Sequence, residues 1–379
     1  MLETLEEEPR LKHLLLARKY GMMGLSKHLR HHLREAEKKK GEQAEQLIDP
    51  YLVDYFGQYI RMQALMSNAS TEPVEEALNS LFESLDRHYG FTRLRLLLER
   101  YNRLQLLGKT DKLENLKTQI IATAEPIDDP AVTAYAKLLR LLEDCPPEEY
   151  FELRRALDDG SYPLPRIYRD FSDTYCINYC IKRVQLHKDP RFAKEFICIF
   201  DQLAKDNRHL DKGGLISVER LVKCIVFGII AGEMEWLEAM LDRLEAQIDL
   251  EGEEERQAFR SFANCYIDIH RGTTGRAYED LRRFRESRLY RKYYALKAGA
   301  DRLLLKLYFE KGEHEALASL MNSVRVSVEK SGFGEDKKKG MLAFFEVLFE
   351  LNKNKKPLTW ELARGWHLID QVWAKRICQ

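Results

Sequence analysis

The segment Gly232-Glu-Met-Glu-Trp-Leu237 returns 80 residues later as Gly312-Glu-His-Glu-Ala-Leu317, and Gly272 lies midway between the two glycines. On both sides of each glycine, apolar residues recur at the spacing of an amphipathic helix. This pattern predicts three helix pairs with a 40-residue period, each pair turning at its glycine. Such repetition is typical of a solenoid, in which each unit buries its apolar face against its neighbours.

The apolar stripes of the three pairs are in register. Positions three, seven and ten before each glycine, and five, nine and twelve after it, are apolar at all but one of 18 places. The exception is Arg302, ten residues before Gly312. The register predicts that the residues nine positions after the glycines occupy equivalent buried places: Leu241, Leu281 and Met321.

Composition is consistent with long helices. The chain has 379 residues, of which 45% are hydrophobic and 32% charged, and it contains only 20 Gly and 11 Pro. No stretch alternates with period two between turn signals. We therefore expect an all-α fold, an α-solenoid of stacked antiparallel helix pairs with no significant β-sheet.

Regularity changes along the chain. We predict an irregular N-terminal helical region over 1–125, helical pairs with a long central helix over 126–214, and regular repeats over 215–379 with a C-terminal capping helix. The pattern predicts separate helices over 73–88 and 91–107, one helix over 290–311 and a last helix over 359–376 that carries Trp366 and Trp373 on one face. Asp-Pro pairs mark three helix starts, since the carboxylate can cap free amides: Asp49, Asp129 and Asp189.

Net charge names no partner. Lys plus Arg and Asp plus Glu number 61 each, so no global field favours nucleic acid or membrane. The acidic N-terminus lacks a secretory pattern, and the longest uncharged apolar run, over 224–232, is about half of the roughly 20 residues that span a bilayer. The seven cysteines lie mostly in apolar stretches and indicate reduced thiols. We expect a cytoplasmic protein without a membrane span.

Two patterns suggest ligands but lack part of the required motif. Gly108-Lys-Thr110 resembles the end of a phosphate-binding loop, but Arg103 stands where that motif needs a glycine. His28 and His32 share a helical face that could hold a divalent metal, although no third ligand is indicated. A helix-to-helix turn and a solvated basic helix are the simpler interpretations.

The sequence gives only weak evidence for a zinc site or for nucleophilic catalysis. Cys176 and Cys180 are four residues apart within a helical run, without the companion pair of a zinc module, which favours core packing. There is no Gly-x-Ser-x-Gly elbow and no motif that pairs a cysteine with a histidine. We expect no catalytic, cofactor-binding or metal-binding residue; an enzyme whose site is assembled from distant helices stays open.

The strongest local signal is a cluster of basic residues interleaved with tyrosines. Between His270 and Lys297 nine Lys and Arg outnumber three Asp and Glu. Arginine and tyrosine can neutralise phosphates and stack on bases, an acidic protein would suit the same surface, and pairing with the acids of residues 251–255 is the plain alternative. The candidate partner-binding residues are Arg282, Arg283, Arg288, Tyr290, Arg291, Lys292 and Tyr294.

The segment Leu304-Leu-Lys-Leu-Tyr-Phe-Glu-Lys-Gly-Glu-His-Glu-Ala-Leu317 resembles tetratricopeptide-like helical repeats, with a tyrosine before the turn glycine and Glu-Ala after it. It is one residue shorter after Gly312 than the usual motif, and its 40-residue period exceeds the roughly 34 of that family. Residues 84–108 are similar to a segment of large all-helical bacterial proteins of uncharacterised function. The first resemblance implies an α-solenoid that binds a protein or peptide along its concave face.

These observations define two hypotheses about function. The first is a non-enzymatic helical-repeat scaffold or adaptor that mediates protein–protein interaction. The second is a nucleic-acid-binding helical-repeat protein that holds RNA or single-stranded DNA on the Arg/Tyr-rich face around 282–294. Architecture alone does not separate them.

Overall fold

The computed structural model describes residues 9–23, 25–39, 49–66, 71–106, 110–162, 164, 166–210, 214–330, 335–354, 356–364 and 366–378. Over these ranges the chain forms 19 α-helices and two short 3-10 turns. The described residues contain no β-strand, only an isolated bridge between Ile216 and Ile248. Among the described helices, none combines the length and apolar character needed to cross a bilayer.

Contacts group the chain into two compact units, Met1–Tyr179 and Cys180–Gln379. The division into three regions, 1–125, 126–214 and 215–379, remains a prediction. The helices of the first unit are α1 (Pro9–Met22), α2 (Ser26–Lys38), α3 (Pro50–Met66), α4 (Thr71–Leu106), α5 (Leu113–Ala124), α6 (Pro130–Leu142), α7 (Pro147–Asp158) and most of α8 (Arg166–Gln185).

All three Asp-Pro starts are confirmed by hydrogen bonds to backbone amides. Asp49 accepts from the amide of Tyr51 at 2.9 Å, and Asp129 accepts from the amide of Ala131 at 2.8 Å. Asp189 accepts from the amide of Arg191 at 3.1 Å. Each carboxylate satisfies an amide that has no partner within its helix.

The two helices predicted over 73–88 and 91–107 are one continuous helix, α4. Gly90, which lies between the two predicted helices, is helical. A Cβ at this position would lie 2.0 Å from the Cδ1 atom of Ile127. The glycine therefore permits a close approach between α4 and the segment after α5, and it does not end the helix.

The second unit continues from the end of α8. Its helices are α9 (Arg191–Lys205), α10 (Val218–Ala231), α11 (Met234–Leu244), α12 (Gly252–Arg271), α13 (Thr274–Glu286), α14 (Arg288–Lys292), α15 (Tyr294–Lys311), α16 (His314–Glu329), α17 (Glu335–Lys353), α18 (Trp360–Ala363) and α19 (Leu368–Ile377).

The three repeat glycines end their helices in the same way. Gly232, Gly272 and Gly312 are left-handed, with φ of 76°, 87° and 68°. In each case the next amide bonds back to the carbonyl five residues earlier, at 2.9, 2.8 and 2.9 Å. This Schellman geometry favours glycine because other residues are strained at positive φ. The predicted turns are therefore confirmed at atomic detail.

The glycines join the helix pairs α10–α11, α12–α13 and α15–α16, and the two helices of each pair are in contact. The first helices also contact one another: α10 with α12, α12 with α15, and α10 with α15. Leu241, Leu281 and Met321 are 2%, 0% and 7% exposed. All three are buried, as the sequence predicts.

Two helix predictions in this unit are wrong. The helix predicted over 290–311 is interrupted at Tyr293, where φ is −113° and ψ is 108°, so that α14 and α15 are separate. The helix predicted over 359–376 is two helices, α18 and α19. Between them, the carbonyl of Trp366 accepts from the side chains of Lys188 (2.7 Å) and Gln371 (2.8 Å). Instead of only closing the end of the repeats, α19 contacts α10 and α12.

Candidate functional site

The basic cluster lies on α13, α14 and the start of α15. Its five cations are exposed, Tyr290 is half-buried and Tyr294 is 39% exposed. The exposed cations are Arg282, Arg283, Arg288, Arg291 and Lys292. The sequence predicts Arg291 and Tyr294 on one helix over 290–311, but the break at Tyr293 places them on different helices, α14 and α15.

Acidic residues neutralise part of this surface. The Nη1 atom of Arg288 lies 3.0 Å from Glu251, and the Nζ atom of Lys292 lies 3.6 Å from the same carboxylate. The charges of Lys292 and Arg288 lower the pKa of Glu251. In the described part of the chain, Arg282 and Arg291 have no carboxylate partner, so the surface keeps two uncompensated positive charges.

Tyr290 is held by the protein's own side chains. Its hydroxyl donates to Asp301 at 2.7 Å, and its ring lies edge-on to Phe284 with ring centroids 6.3 Å apart. The cations of Arg285 and Lys297 lie over the ring at 5.7 and 5.9 Å from its centroid. Burial and the Asp301 bond raise the pKa of Tyr290 to about 12. This ring supports the packing of α14 on α15 and is not a free stacking platform.

A buried group of charges joins α15 to α19. Asp370 is fully buried and accepts hydrogen bonds from two guanidinium nitrogens of Arg302, of which the Nε bond is 2.8 Å. The Nζ atom of Lys306, which is 1% exposed, lies 3.1 Å from the same carboxylate. Burial alone would raise the pKa of Asp370, but the charges of Arg302 and Lys306 hold it below its ordinary value.

His270 on α12 completes this group. Its Nδ1 atom is 2.7 Å from the carbonyl of Tyr266, and its Nε2 atom is 3.3 Å from the carbonyl of Ile369 on α19. Burial, followed by the positive charge of Lys306, lowers the pKa of His270 to about 3. Burial also lowers the pKa of Lys306 to about 8.

One helical turn further along, Glu310 repeats the contact between α15 and α19. It accepts from the indole nitrogen of Trp373 at 2.6 Å and pairs with Arg376. Trp373 is fully buried, with its ring 6.1 Å from that of Phe309. We call this set the α15–α19 ion cluster: His270, Arg302, Lys306, Glu310, Asp370 and Arg376.

Sequence reasoning did not identify the ion cluster, although one signal was present. Arg302 is the only charged residue among the 18 aligned stripe positions. A charge at a position that is otherwise apolar indicates a specific partner, since burying an unpaired charge is costly. The partner, Asp370, is 68 residues away along the chain, and nothing local to Arg302 points to it.

The sequence contains three patterns that suggest a ligand, and the first is the pair of histidines on α2. The ring of His32 stacks on that of Tyr20, with centroids 5.3 Å apart, and its Nδ1 atom lies 3.0 Å from that of His13. Burial and His13 lower the pKa of His32. Over the ranges described, no three His, Cys, Asp or Glu residues are placed to hold a metal ion.

The other two patterns are the cysteine pair in α8 and the segment Gly108-Lys-Thr110. Cys176 and Cys180 are fully buried in α8, which agrees with core packing. The Gly108-Lys109 pair lies outside the described residues.

Comparison with known proteins gives no relative. No family profile, curated protein or solved structure matches the chain. Over the described residues, the fold and its sites therefore define the protein only as an all-helical chain that includes three contacting helix pairs joined at glycines, an exposed basic surface and a buried ion cluster.

The burial of His270 predicts a loss of stability in acid. Between about pH 3 and 6.5 the unfolded imidazole binds a proton that the folded one does not, so stability falls as pH falls through this window. At a pH two units below 6.5 the effect is about 2–3 kcal/mol, at about 1.36 kcal/mol per unit. Chemical denaturation of wild type and His270→Gln at neutral and acidic pH measures it.

The variant should lose this part of the pH dependence. His187→Gln, at an exposed histidine of the same unit, serves as the control and should keep the wild-type slope. Equal slopes for wild type and His270→Gln would show that the His270 imidazole takes up its proton in the folded state.

Proposed function

We propose that the protein is a cytoplasmic, non-enzymatic helical-repeat scaffold that binds an acidic surface of another protein. In this proposal α10–α11, α12–α13 and α15–α16 stack as a tetratricopeptide-like solenoid. The observation that carries it is the exposed basic cluster on α13–α15, in which Arg282 and Arg291 have no carboxylate partner among the described residues. Exposed charges of one sign guide association with an oppositely charged partner.

The position of α19 favours this surface over the concave face implied by the family resemblance. Helix α19 contacts the first helices α10 and α12, and its side chains bond to those of α15. A partner that used the face of these first helices would have to displace a helix held by buried ion pairs. The basic cluster requires no such displacement.

The mixture of charges favours a protein partner over a nucleic acid. Glu251 is 68% exposed between Arg288 and Lys292, where it would repel a phosphate backbone. A protein can place its own cation opposite Glu251 and carboxylates opposite Arg282 and Arg291. Tyr290, one of the tyrosines that suggested base stacking, is occupied by Phe284 and by its bond to Asp301.

The test is a charge reversal at the two unpaired arginines. Arg282→Glu/Arg291→Glu should lose the protein partner recovered by affinity purification from the native host and identified by mass spectrometry. Its melting temperature should stay near that of wild type, because exposed charges contribute little to stability.

The matched control reverses two exposed cations that are already paired. Lys194 and Arg325 are 65% and 69% exposed and pair with Glu233 and Glu329. Lys194→Glu/Arg325→Glu should retain the partner. A partner set unaffected by the first variant would refute the proposal, and loss of all partners after nuclease treatment would favour the nucleic-acid alternative.

A further inference from the structure

A cavity of about 190 Å³ lies where α10, α12, α15, α16, α17 and α19 meet. At about 30 Å³ per water it has room for about six water molecules, which is smaller than the usual site for a drug-sized ligand. It reaches the surface at the start of α15, where Tyr294 is 39% exposed.

The hydroxyl of Tyr266 is available to a ligand in the cavity. Tyr266 lines the cavity and is 6% exposed, and its hydroxyl has no hydrogen-bond partner in the described part of the chain. Burial raises the pKa of Tyr266 far above its ordinary value, so the hydroxyl remains protonated and can donate.

Gly299 leaves space for the hydroxyl of Tyr266. A Cβ at position 299 would lie 2.7 Å from the Tyr266 hydroxyl oxygen and 3.1 Å from the Cζ atom of Phe262. Gly299 is helical and has no positive φ, so no turn requires it. Its absent side chain leaves the tyrosine room at the cavity wall.

The charges of the lining favour an anion. Arg302 and Lys297 both line the cavity, and among the described lining residues the one acid is Asp301. Arg302 is already bonded to Asp370, and Asp301 accepts from Tyr290 at 2.7 Å and pairs with Arg285 at 3.6 Å. The charge of Lys297 lowers the pKa of Asp301, but among the residues described Lys297 forms no ion pair within 4 Å of a carboxylate.

Most of the remaining wall is apolar, and this limits the type of anion. Valines from α10 and α16, a phenylalanine from α17 and an isoleucine from α19 contribute it: Val226, Val324, Val328, Phe345 and Ile369. Such walls suit a hydrocarbon or aromatic body. A phosphate would need more donors than this wall supplies.

We propose that the cavity binds a small organic carboxylate with an apolar body. Its carboxylate accepts a hydrogen bond from Tyr266 and is neutralised by Lys297, and its body packs against the valines and Phe345. Tyr294 borders both this cavity and the partner surface on α13–α15. The two proposals rest on different residues, Tyr266 and Lys297 here and Arg282 and Arg291 there, so either can fail while the other stands.

The experiment is calorimetric titration with benzoate, phenylpropionate and isovalerate, each compared with its neutral amide. At least one carboxylate should bind, and its amide should bind more weakly. Tyr266→Phe should weaken carboxylate binding by about tenfold or more, since a hydrogen bond to a charged group is lost. The melting temperature of the ligand-free variant should not fall, because the hydroxyl that it removes is unpaired.

Tyr135→Phe is the matched control. Tyr135 is fully buried with an unpaired hydroxyl, and it lies in α6 and does not line the cavity. It should leave binding unchanged. Lys297→Met provides a second variant that should weaken carboxylates and spare amides, and it replaces Tyr266→Phe if the latter does not fold.

Three results would overturn the proposal. The first is that none of the carboxylates binds better than its amide. The second is that Tyr266→Phe and Lys297→Met both bind as wild type does. The third is a crystal structure grown with the best carboxylate that shows only ordered water beside Tyr266.

Discussion

Replacing Asp370 by alanine is expected to lower the free energy of unfolding of the second unit by about 3–5 kcal/mol, the range for breaking a buried ion pair from one side. The change leaves Arg302 and Lys306 beneath α19 without the carboxylate that both contact. Urea denaturation followed by tryptophan fluorescence measures the loss, since Trp366 and Trp373 are buried beside the ion cluster.

The control is an aspartate–arginine pair whose aspartate is exposed. Asp242 is 67% exposed and lies 2.5 Å from Arg260, and Asp242→Ala should cost no more than about 1 kcal/mol, as exposed ion pairs do. Equal losses for the two aspartates would contradict the role given to burial. Replacing Arg302, Lys306 and Asp370 together by apolar residues of similar volume should recover much of the loss, because no unpaired charge then remains.

The second large effect is expected at Leu281. This side chain is fully buried in α13, at the place equivalent to Leu241 and Met321. Leu281→Ala should lower the free energy of unfolding by about 2–5 kcal/mol, since it removes apolar contacts and leaves a cavity between helices. Chemical denaturation provides the measurement.

The same substitution at an exposed leucine isolates the effect of burial. Leu186 is 65% exposed in the same unit, so Leu186→Ala should change stability by no more than about 0.5 kcal/mol. A loss at Leu281 as small as this would mean that the apolar register of the repeat does not describe the packing of α13.

The sequence predicts features that depend on a few neighbouring residues. The glycine turns at Gly232, Gly272 and Gly312 and the caps at Asp49 and Asp129 are of this kind, because their hydrogen bonds close within six residues. Local backbone chemistry is sufficient to specify them.

Features that depend on distant residues are not predictable in this way. Gly90 is a glycine like those at the three turns, but it stays helical and leaves space for the side chain of Ile127, 37 residues later. Tyr293 carries no breaking signal, yet a continuous helix would place Tyr290 and Asp301 about 16 Å apart along its axis, at about 1.5 Å per residue. The break allows their hydroxyl and carboxylate to meet at 2.7 Å.

The candidate sites also differ in whether their residues are close together in the sequence. The basic cluster is visible in the sequence because its cations are close together in the chain. The ion cluster draws on α12, α15 and α19, and the cavity adds α10, α16 and α17, so their residues meet only in the folded unit. Arg302, which belongs to both, is the one residue that the repeat pattern marks as an exception.

The contacts of α19 affect how the three helix pairs unfold. An array of repeats that contact only their neighbours can fray from either end, and its stability is a sum of local contributions. Here the last helix touches the first helices of the first two pairs and is ion-paired to that of the third. Opening any one pair therefore also costs contacts with α19, which favours cooperative melting of the three pairs over stepwise loss from the ends.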